Sequence, residues 1–408
     1  MEHFHILTDI YFGDRALDRL SELGCRKAFI VTDPFIVKSD AIRNITKPLQ
    51  KGGIEFEVFT DVVPDPPVEK VVEGVAAFVQ SGSDVIIGIG GGSAMDLSKS
   101  IRKMASAMAE DAEKTNGKNI GKTVEDSIGS TPVPARHIPL ICIPTTSGTG
   151  SEVTSFAVIS NPATRSKIPL VSDDMTPDEA ILDPILVRSV PASVTADTGM
   201  DVLTHAIEAY VSTSHNDFSG ALAEKAVAIV GQYLFRSYSN NQDTHARSKM
   251  HVAATLAGLA FNSASLGLNH GMAHQLGAHF HIPHGRANAM LLPLVIQYNA
   301  GVTNMTRDSE LLDDSGTVNR YCRMASMLGL AGFNKVMTIH SLCNYIRYMN
   351  DEMHIPAGIS ELLPELTKEE YESHLDAMAE AALDDSCTAT NPRQPSKPDI
   401  IELYRKLW

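Results

Sequence analysis

"DVIIGIGGGSAMDLSKSI", residues 84–101, is an apolar run that stops on three glycines and restarts as an amphipathic stretch. The Ile/Val-rich run predicts a buried strand, and Ser93 and Asp96 fall where the first turn of a helix begins. Glycine at 90, 91 and 92 lets backbone N–H groups approach an anion, and a helix N-terminus adds partial positive charge. The spacing departs from the GxGxxG fingerprint, so taken alone the turn also suits a strand-to-helix connection with no ligand.

Working outward, "KAFIVT" (27–32), "IEFEVF" (54–59) and "HIPLICIPTT" (137–146) have the same strand character, with helical stretches near 40–52 and 68–81 between them. β-Branched runs separated by helices predict a parallel sheet covered on both faces. The stretch 110–136 is polar and broken by Gly and Pro, and reads as a surface excursion. Beyond "AILDPILVRSVPASV" (180–194) the pattern turns helical, over 197–212, 219–238 and 247–265. The expectation is an α/β, Rossmann-like N-terminal domain over 1–189 and an all-α domain over 190–408.

Composition narrows the function. The 408 residues carry a formal net charge of −15 with no basic run to offset it, which argues against nucleic acid as a partner. Five scattered cysteines fit neither a disulfide framework nor a CxxC knuckle. The N-terminus lacks a signal-peptide pattern, and no apolar run approaches the roughly 18–20 residues that cross a bilayer. A cytoplasmic protein with no membrane partner is expected.

Three groups of residues carry chemistry. Asp33, closing "FIVTD", suits a ribose 2′-hydroxyl and would repel a 2′-phosphate, favouring NAD over NADP; it equally suits a helix cap. "PTTSGTGSEV" (144–153) gathers Thr145, Thr146, Ser147 and Thr149 around two glycines, a pattern fit for a pyrophosphate or a ribose and common in plain turns. "HGMAHQLGAHFHIPHG" (270–285) holds five of the fifteen histidines. Asp201 and His205 are one helical turn apart, as are His270 and His274. Asp201, His205, His270 and His284 together offer a mixed N/O site for a divalent cation. Asp197 competes as the carboxylate, whereas His279 and His281 read as ordinary histidines.

"GGGSAMDLSK", "PTTSGTGSEVT", "GMDVLTHAIEAYVS" and "HGMAHQLGAHFHIPHGRANAMLLP" resemble, in this order, the iron-dependent (group III) alcohol dehydrogenases, nearly end to end. That resemblance implies the fold shared with dehydroquinate synthase. It implies metal ligands at Asp201, His205, His270 and His284, with His274 left unliganded as a proton carrier. It implies dinucleotide contacts from Gly91, Gly92, Ser93, Thr145, Thr146 and Thr149, with Asp33 at the adenosine ribose and Lys167 near the nicotinamide ribose. A substrate pocket is implied at Phe156, Phe261 and Cys387, and Phe156 departs from the polar residue of a diol-using relative. Residues 110–136 are longer than usual for the family.

The expected activity is reversible hydride transfer between a short-chain primary alcohol, or its aldehyde, and NAD(H). The metal is Fe²⁺ by family habit, with Zn²⁺ or Mn²⁺ as alternatives, and relatives point to a homodimer or larger homo-oligomer. An anionic aldehyde such as sulfoacetaldehyde or succinic semialdehyde is the alternative substrate, met by Arg286 and Arg393. A dehydroquinate synthase-like lyase would need a basic pocket that the ligand region does not offer.

Overall fold

The computed structural model describes residues 3–114, 137–161, 166–302, 316–330 and 332–408. The chain divides into two compact units, Met1–Arg188 and Ser189–Trp408. Among the described residues no helix is long and apolar enough to cross a membrane.

In the first unit the strands are β1 (Asp9–Phe12), β2 (Lys27–Val31), β3 (Glu55–Phe59), β4 (Val85–Gly90), β5 (Leu140–Pro144), β6 (Phe156–Asn161), β7 (Ser166–Val171) and β8 (Glu179–Leu182). Six of them form one sheet in the order β1-β8-β5-β4-β2-β3, parallel at every pairing. Helices α1 (Pro34–Lys38), α2 (Asp40–Lys51), α3 (Val68–Ser81) and α4 (Gly92–Lys114) connect its strands. Strand side chains alternate between two cores. Phe29, Val31, Ile86 and Leu140 pack against Val75 and Phe78 of α3 and Met95 and Ile101 of α4. Ile30, Ile87, Ile89 and Ile143 pack on the opposite face against Ile45 and Leu49 of α2. A sheet buried on both faces explains why β4 and β5 read as unbroken apolar runs.

The chain leaves β2 outward to β3 and then returns to β4 on the other side of β2. The direction of winding therefore reverses between β2 and β4, and the loops leaving those two strands diverge at the carboxyl edge, where parallel α/β sheets bind ligands. Asp33 follows β2 there, and Gly91 follows β4.

Two features differ from the sequence expectation. β6 and β7 form a separate antiparallel hairpin; its second strand, "SKIPLV", ends in four consecutive apolar residues with a proline among them, which hides the alternation that would have announced it. α4 runs to Lys114, so the start of the polar stretch 110–136 is helix, and 115–136 lies outside the described residues.

Lys99 of α4 is completely buried. Its Nζ donates to Ser151 Oγ (2.9 Å), Thr154 Oγ1 (3.1 Å) and the Phe156 carbonyl (2.7 Å). Asp96 accepts from Ser151 Oγ (2.7 Å) and the Val158 N–H (3.0 Å). Burial pushes the Lys99 pKa down, and the nearby Asp96 carboxylate opposes that shift. The pair ties α4 to the segment that follows β5.

The second unit is helical: α5 (Ala192–Val211), α6 (Asp217–Ser239), α7 (Thr244–Ala264), α8 (Leu268–Phe280), α9 (His284–Ala300), α10 (Gly316–Met327), α11 (Lys335–Glu352), α12 (Ile359–Leu362), α13 (Lys368–Asp384) and α14 (Lys397–Leu407). Every residue of α5 from Gly199 to Val211 is buried. A helix buried all round has no solvent for its polar side chains, so Asp201, His205 and Glu208 must find partners inside the protein.

Lys99→Met removes the Nζ hydrogen bonds to Ser151, Thr154 and the Phe156 carbonyl, and the positive charge near Asp96. It should destabilise the protein by about 3–5 kcal/mol, read as a lower midpoint in urea unfolding with helix content unchanged before the transition.

Candidate functional site

Asp201 and His205, four residues apart on α5, point to one place. α8 brings His270 from its first turn, and α9 brings His284 as its first residue. The Oδ1 of Asp201 lies 3.8 Å from His205 Nε2, 3.7 Å from His270 Nε2 and 3.5 Å from His284 Nε2. The four ligand atoms lie within 4.8 Å of one another. Four tetrahedral ligands at bond lengths of about 2.0–2.1 Å are separated by about 3.4 Å, so the set closes on a cation with small adjustments. His284 is the open member, with its side chain 41% exposed; the other three are buried.

The electrostatics match a positive charge at that point. Burial pushes the Asp201 carboxyl up, but His205, His284 and His270 outweigh it and hold the group far below the ordinary carboxylate range. Burial also lowers His270, yet Glu208 and Asp201 overcome that and lift it to about 9. Three imidazoles and one carboxylate oxygen form a donor set for a first-row divalent metal, so the residues present fit the cation that the sequence resemblance implies.

Asp197, the competing carboxylate, is engaged elsewhere: Arg286 Nε and Nη2 donate to its two oxygens at 3.0 and 3.1 Å. Arg393 donates to the Tyr298 carbonyl (2.7 Å) and lies 4.2 Å from the centre of that ring. Both arginines offered for an anionic tail thus have structural partners.

His274, one turn after His270, is held by Asp385, whose Oδ2 is 2.7 Å from its Nδ1. Its ring stacks on that of His284 at 5.4 Å. Burial raises the Asp385 carboxyl, and the bond to His274 more than reverses this, leaving it at about 2. The Cys387 N–H donates to Asp385 Oδ1 (2.9 Å), which brings His274, Asp385 and Cys387 together. Burial pushes the Cys387 thiol well up. The Phe261 ring lies 4.6 Å from that of His205. His279 meets His374 (3.1 Å), and His281 terminates α8 in the left-handed conformation, as expected of ordinary histidines.

In the first unit the two motif turns meet. The Thr145 N–H donates to the Gly90 carbonyl (2.9 Å). A Cβ on Gly91 would lie 3.6 Å from Thr146 Oγ1, and one on Gly92 would lie 3.1 Å from Thr149 Cγ2. Gly90 has φ +149°, a backbone conformation that glycine allows, and its Cβ would collide with Ala94 at 2.7 Å. Ser93 is half-buried in the first turn of α4. The result is a bare backbone concavity rimmed by hydroxyls, which fits a dinucleotide's phosphates. Asp33 caps α1, accepting from the Phe35 and Ile36 N–H groups with Oδ1 (2.8 and 2.9 Å), while its Oδ2 faces Gly90. Both sequence readings of Asp33 therefore remain available to one side chain. Phe156 opens β6 and gives its carbonyl to Lys99. Lys167 pairs in register with Ser160 on the β6–β7 hairpin, and its side chain lies outside the described residues.

Sequence reasoning missed Glu208, Asn288 and Asp385. Glu208 shares the buried face of α5 with Asp201 and His205 at helical spacing, a signal that was present; Asp385 lies 111 positions from His274 and gives none.

Comparison with known proteins follows the same lines. The profile of the family described as "Iron-containing alcohol dehydrogenase" matches residues 8–184, and that of the "Fe-containing alcohol dehydrogenase family, C-terminal" matches 195–408. The chain is 39% identical over 409 residues to the 1-propanol dehydrogenase PduQ of Citrobacter freundii, covering 100% of both. It is 37% identical to the NADPH-dependent butanol dehydrogenase of Clostridium saccharobutylicum, covering 100% of this chain and 98% of that one. Among solved structures, a 1,3-propanediol oxidoreductase superposes with a TM-score of 0.87 at 31% identity, with both chains covered in full.

Gly285 is the point where α9 meets α5: a Cβ there would lie 2.2 Å from the Asp197 carbonyl oxygen and 3.3 Å from Asp201 Cβ. Gly285→Ala should therefore push His284 off the cluster, costing about 1–3 kcal/mol of stability and at least tenfold in divalent-metal affinity, measured by chelator competition.

Proposed function

The chain belongs to the iron-containing alcohol dehydrogenase family, and from that premise we propose that it interconverts short-chain primary alcohols and their aldehydes using NAD(H). The convergence of Asp201, His205, His270 and His284 on one point carries this reading. These four side chains would hold a divalent cation, Fe²⁺ by family habit and Zn²⁺ or Mn²⁺ by the same donors, which would supply Lewis acidity toward an alcohol or carbonyl oxygen, with NAD(H) as the hydride partner.

The chain's own residues do the rest. Asp385 accepts from the Nδ1–H of His274, which fixes that ring's tautomer and leaves Nε2 as the atom that takes up and releases the alcohol proton. Phe261 beside His205 and the neutral Cys387 thiol supply an apolar lining for a short alkyl chain. Phe156 replaces the polar residue that a second hydroxyl would need. In the first unit, Gly91, Gly92 and Ser93 offer N–H groups to the pyrophosphate, Thr145, Thr146 and Thr149 offer hydroxyls, and Lys167 attends the nicotinamide ribose. The free oxygen of Asp33 accepts from a ribose 2′-hydroxyl and repels a 2′-phosphate, so NADH is preferred to NADPH.

The decisive measurement is turnover of anaerobically purified, metal-reconstituted protein. NADH oxidation with propionaldehyde should exceed that with succinic semialdehyde at least tenfold in kcat/KM, and absence of NADH oxidation with any short aldehyde sinks the proposal. His270→Ala and His284→Ala should lose metal and turnover together. His274→Ala should keep the metal and lose roughly 10²–10⁴-fold in turnover; normal turnover with an unchanged pH profile removes His274 from the mechanism. Asp33→Gly should bring the NADH and NADPH kcat/KM values within tenfold of each other, and an unchanged ratio would show that another residue selects the cofactor.

A further inference from the structure

We propose that Glu208 is a positioning residue for the bound cation, setting the tautomer of His270 and, through Asn269 and Asn288, the orientation of Asp201; the inference rests on reading Asp201, His205, His270 and His284 as metal ligands. Glu208 lies two turns beyond Asp201 on α5 and is 3% exposed. A carboxylate in the interior of a buried helix is costly and is retained only where its lone pairs are met. Among the described residues, the hydrogen bonds to its side chain come from the α8 N-terminus. The Asn269 N–H donates to Oε1 at 2.7 Å, and His270 Nδ1 makes a short contact with Oε2. The approach is close enough that a Cβ on Gly267 would lie 2.7 Å from Glu208 Oε1.

An acceptor-only partner at Nδ1 keeps a proton on that atom, so Nε2, which lies 3.1 Å from Asn288 Nδ2, is the nitrogen left to meet a cation. His270 Nε2 is the atom 3.7 Å from Asp201 Oδ1. The same layer continues to the carboxylate. Asn269 Nδ2 donates to the Asn288 carbonyl (3.2 Å) and to Asn288 Oδ1 (2.9 Å), two acceptors that fix the orientation of both amides. Asn288 must then present Nδ2 to the ligands, and it donates to Asp201 Oδ1 at 2.8 Å. Glu208, Asn269, Asn288 and Asp201 are each 3% exposed or less, and they connect the three helices that carry the ligands. A purely structural cap of α8 would need only the Glu208–Asn269 bond; the rest of the chain ends on ligand atoms.

Glu208→Gln separates the two roles. The glutamine carbonyl can still accept from the Asn269 N–H and cap α8, but its NH₂ then faces His270 Nδ1, so the ring proton moves to Nε2 and blocks that lone pair. Zn²⁺ affinity of the full-length protein, by chelator competition, should fall roughly 10–100-fold, and the Co²⁺-substituted protein should show an altered visible spectrum. The melting temperature of the metal-free protein should stay within a few degrees of wild type. Asn288→Ala leaves the Glu208 cap untouched and should weaken Zn²⁺ binding about tenfold; it carries the test if Glu208→Gln does not fold. Wild-type affinity and spectrum in a folded Glu208→Gln protein, or wild-type affinity in Asn288→Ala, overturns this inference alone. A wild-type protein that binds no stoichiometric cation overturns the ligand reading and this inference with it.

Discussion

The second unit is organised around a negative charge that has no access to water. Asp201 is buried on a helix that is itself buried on every side, and a solitary carboxylate in such a place would cost several kcal/mol or take up a proton. Here its carboxyl is held far below the ordinary range by the histidines around it, and Asn288 donates to its Oδ1. That requirement dictates the packing: α8 must present His270 from its first turn, α9 must start at His284, and Gly285 must let α9 press against the backbone of α5. Arg286 then serves to neutralise Asp197, the other acid on the same helix, and keeps it away from the cluster.

The first unit solves a different problem with backbone in place of charge. Its parallel sheet reverses direction between β2 and β4, and the turns leaving β4 and β5 touch through glycines and threonines. Lys99, fully buried, and Asp96, half-buried, brace this arrangement by joining α4 to the residues after β5 through hydrogen bonds. Each unit has its own core and its own chemistry, one suited to an anionic dinucleotide and the other to a cation.

Much of this was legible before any coordinates. Buried parallel strands advertise themselves as Ile/Val runs, and the four residues that cluster are visible because an i, i+4 acid–imidazole pair and a histidine-dense segment are rare in an ordinary helical protein. β1 was less readable, being four residues long at an edge, with polar neighbours. The β6–β7 hairpin carries an Asn161-Pro162 turn signal, but an antiparallel pair is not what an α/β pattern leads one to look for. The supporting layer was hidden for another reason: what Asn288 or Asp385 does depends on which distant helix it faces, and spacing along the chain does not encode that. Asp33 shows the limit from the other side, since one carboxylate satisfies the cap and still presents an oxygen to the sheet edge.

Helix α5 carries Asp201, His205 and Glu208 on one face within eight residues. Each residue added to a helix turns everything beyond it by about 100°. A single insertion or deletion between 201 and 208 would thus swing one part of this trio away from the other, and no local repacking could restore both. The length of this segment is therefore as binding on the cluster as the identity of its three polar residues, and these eight positions act as a fixed ruler.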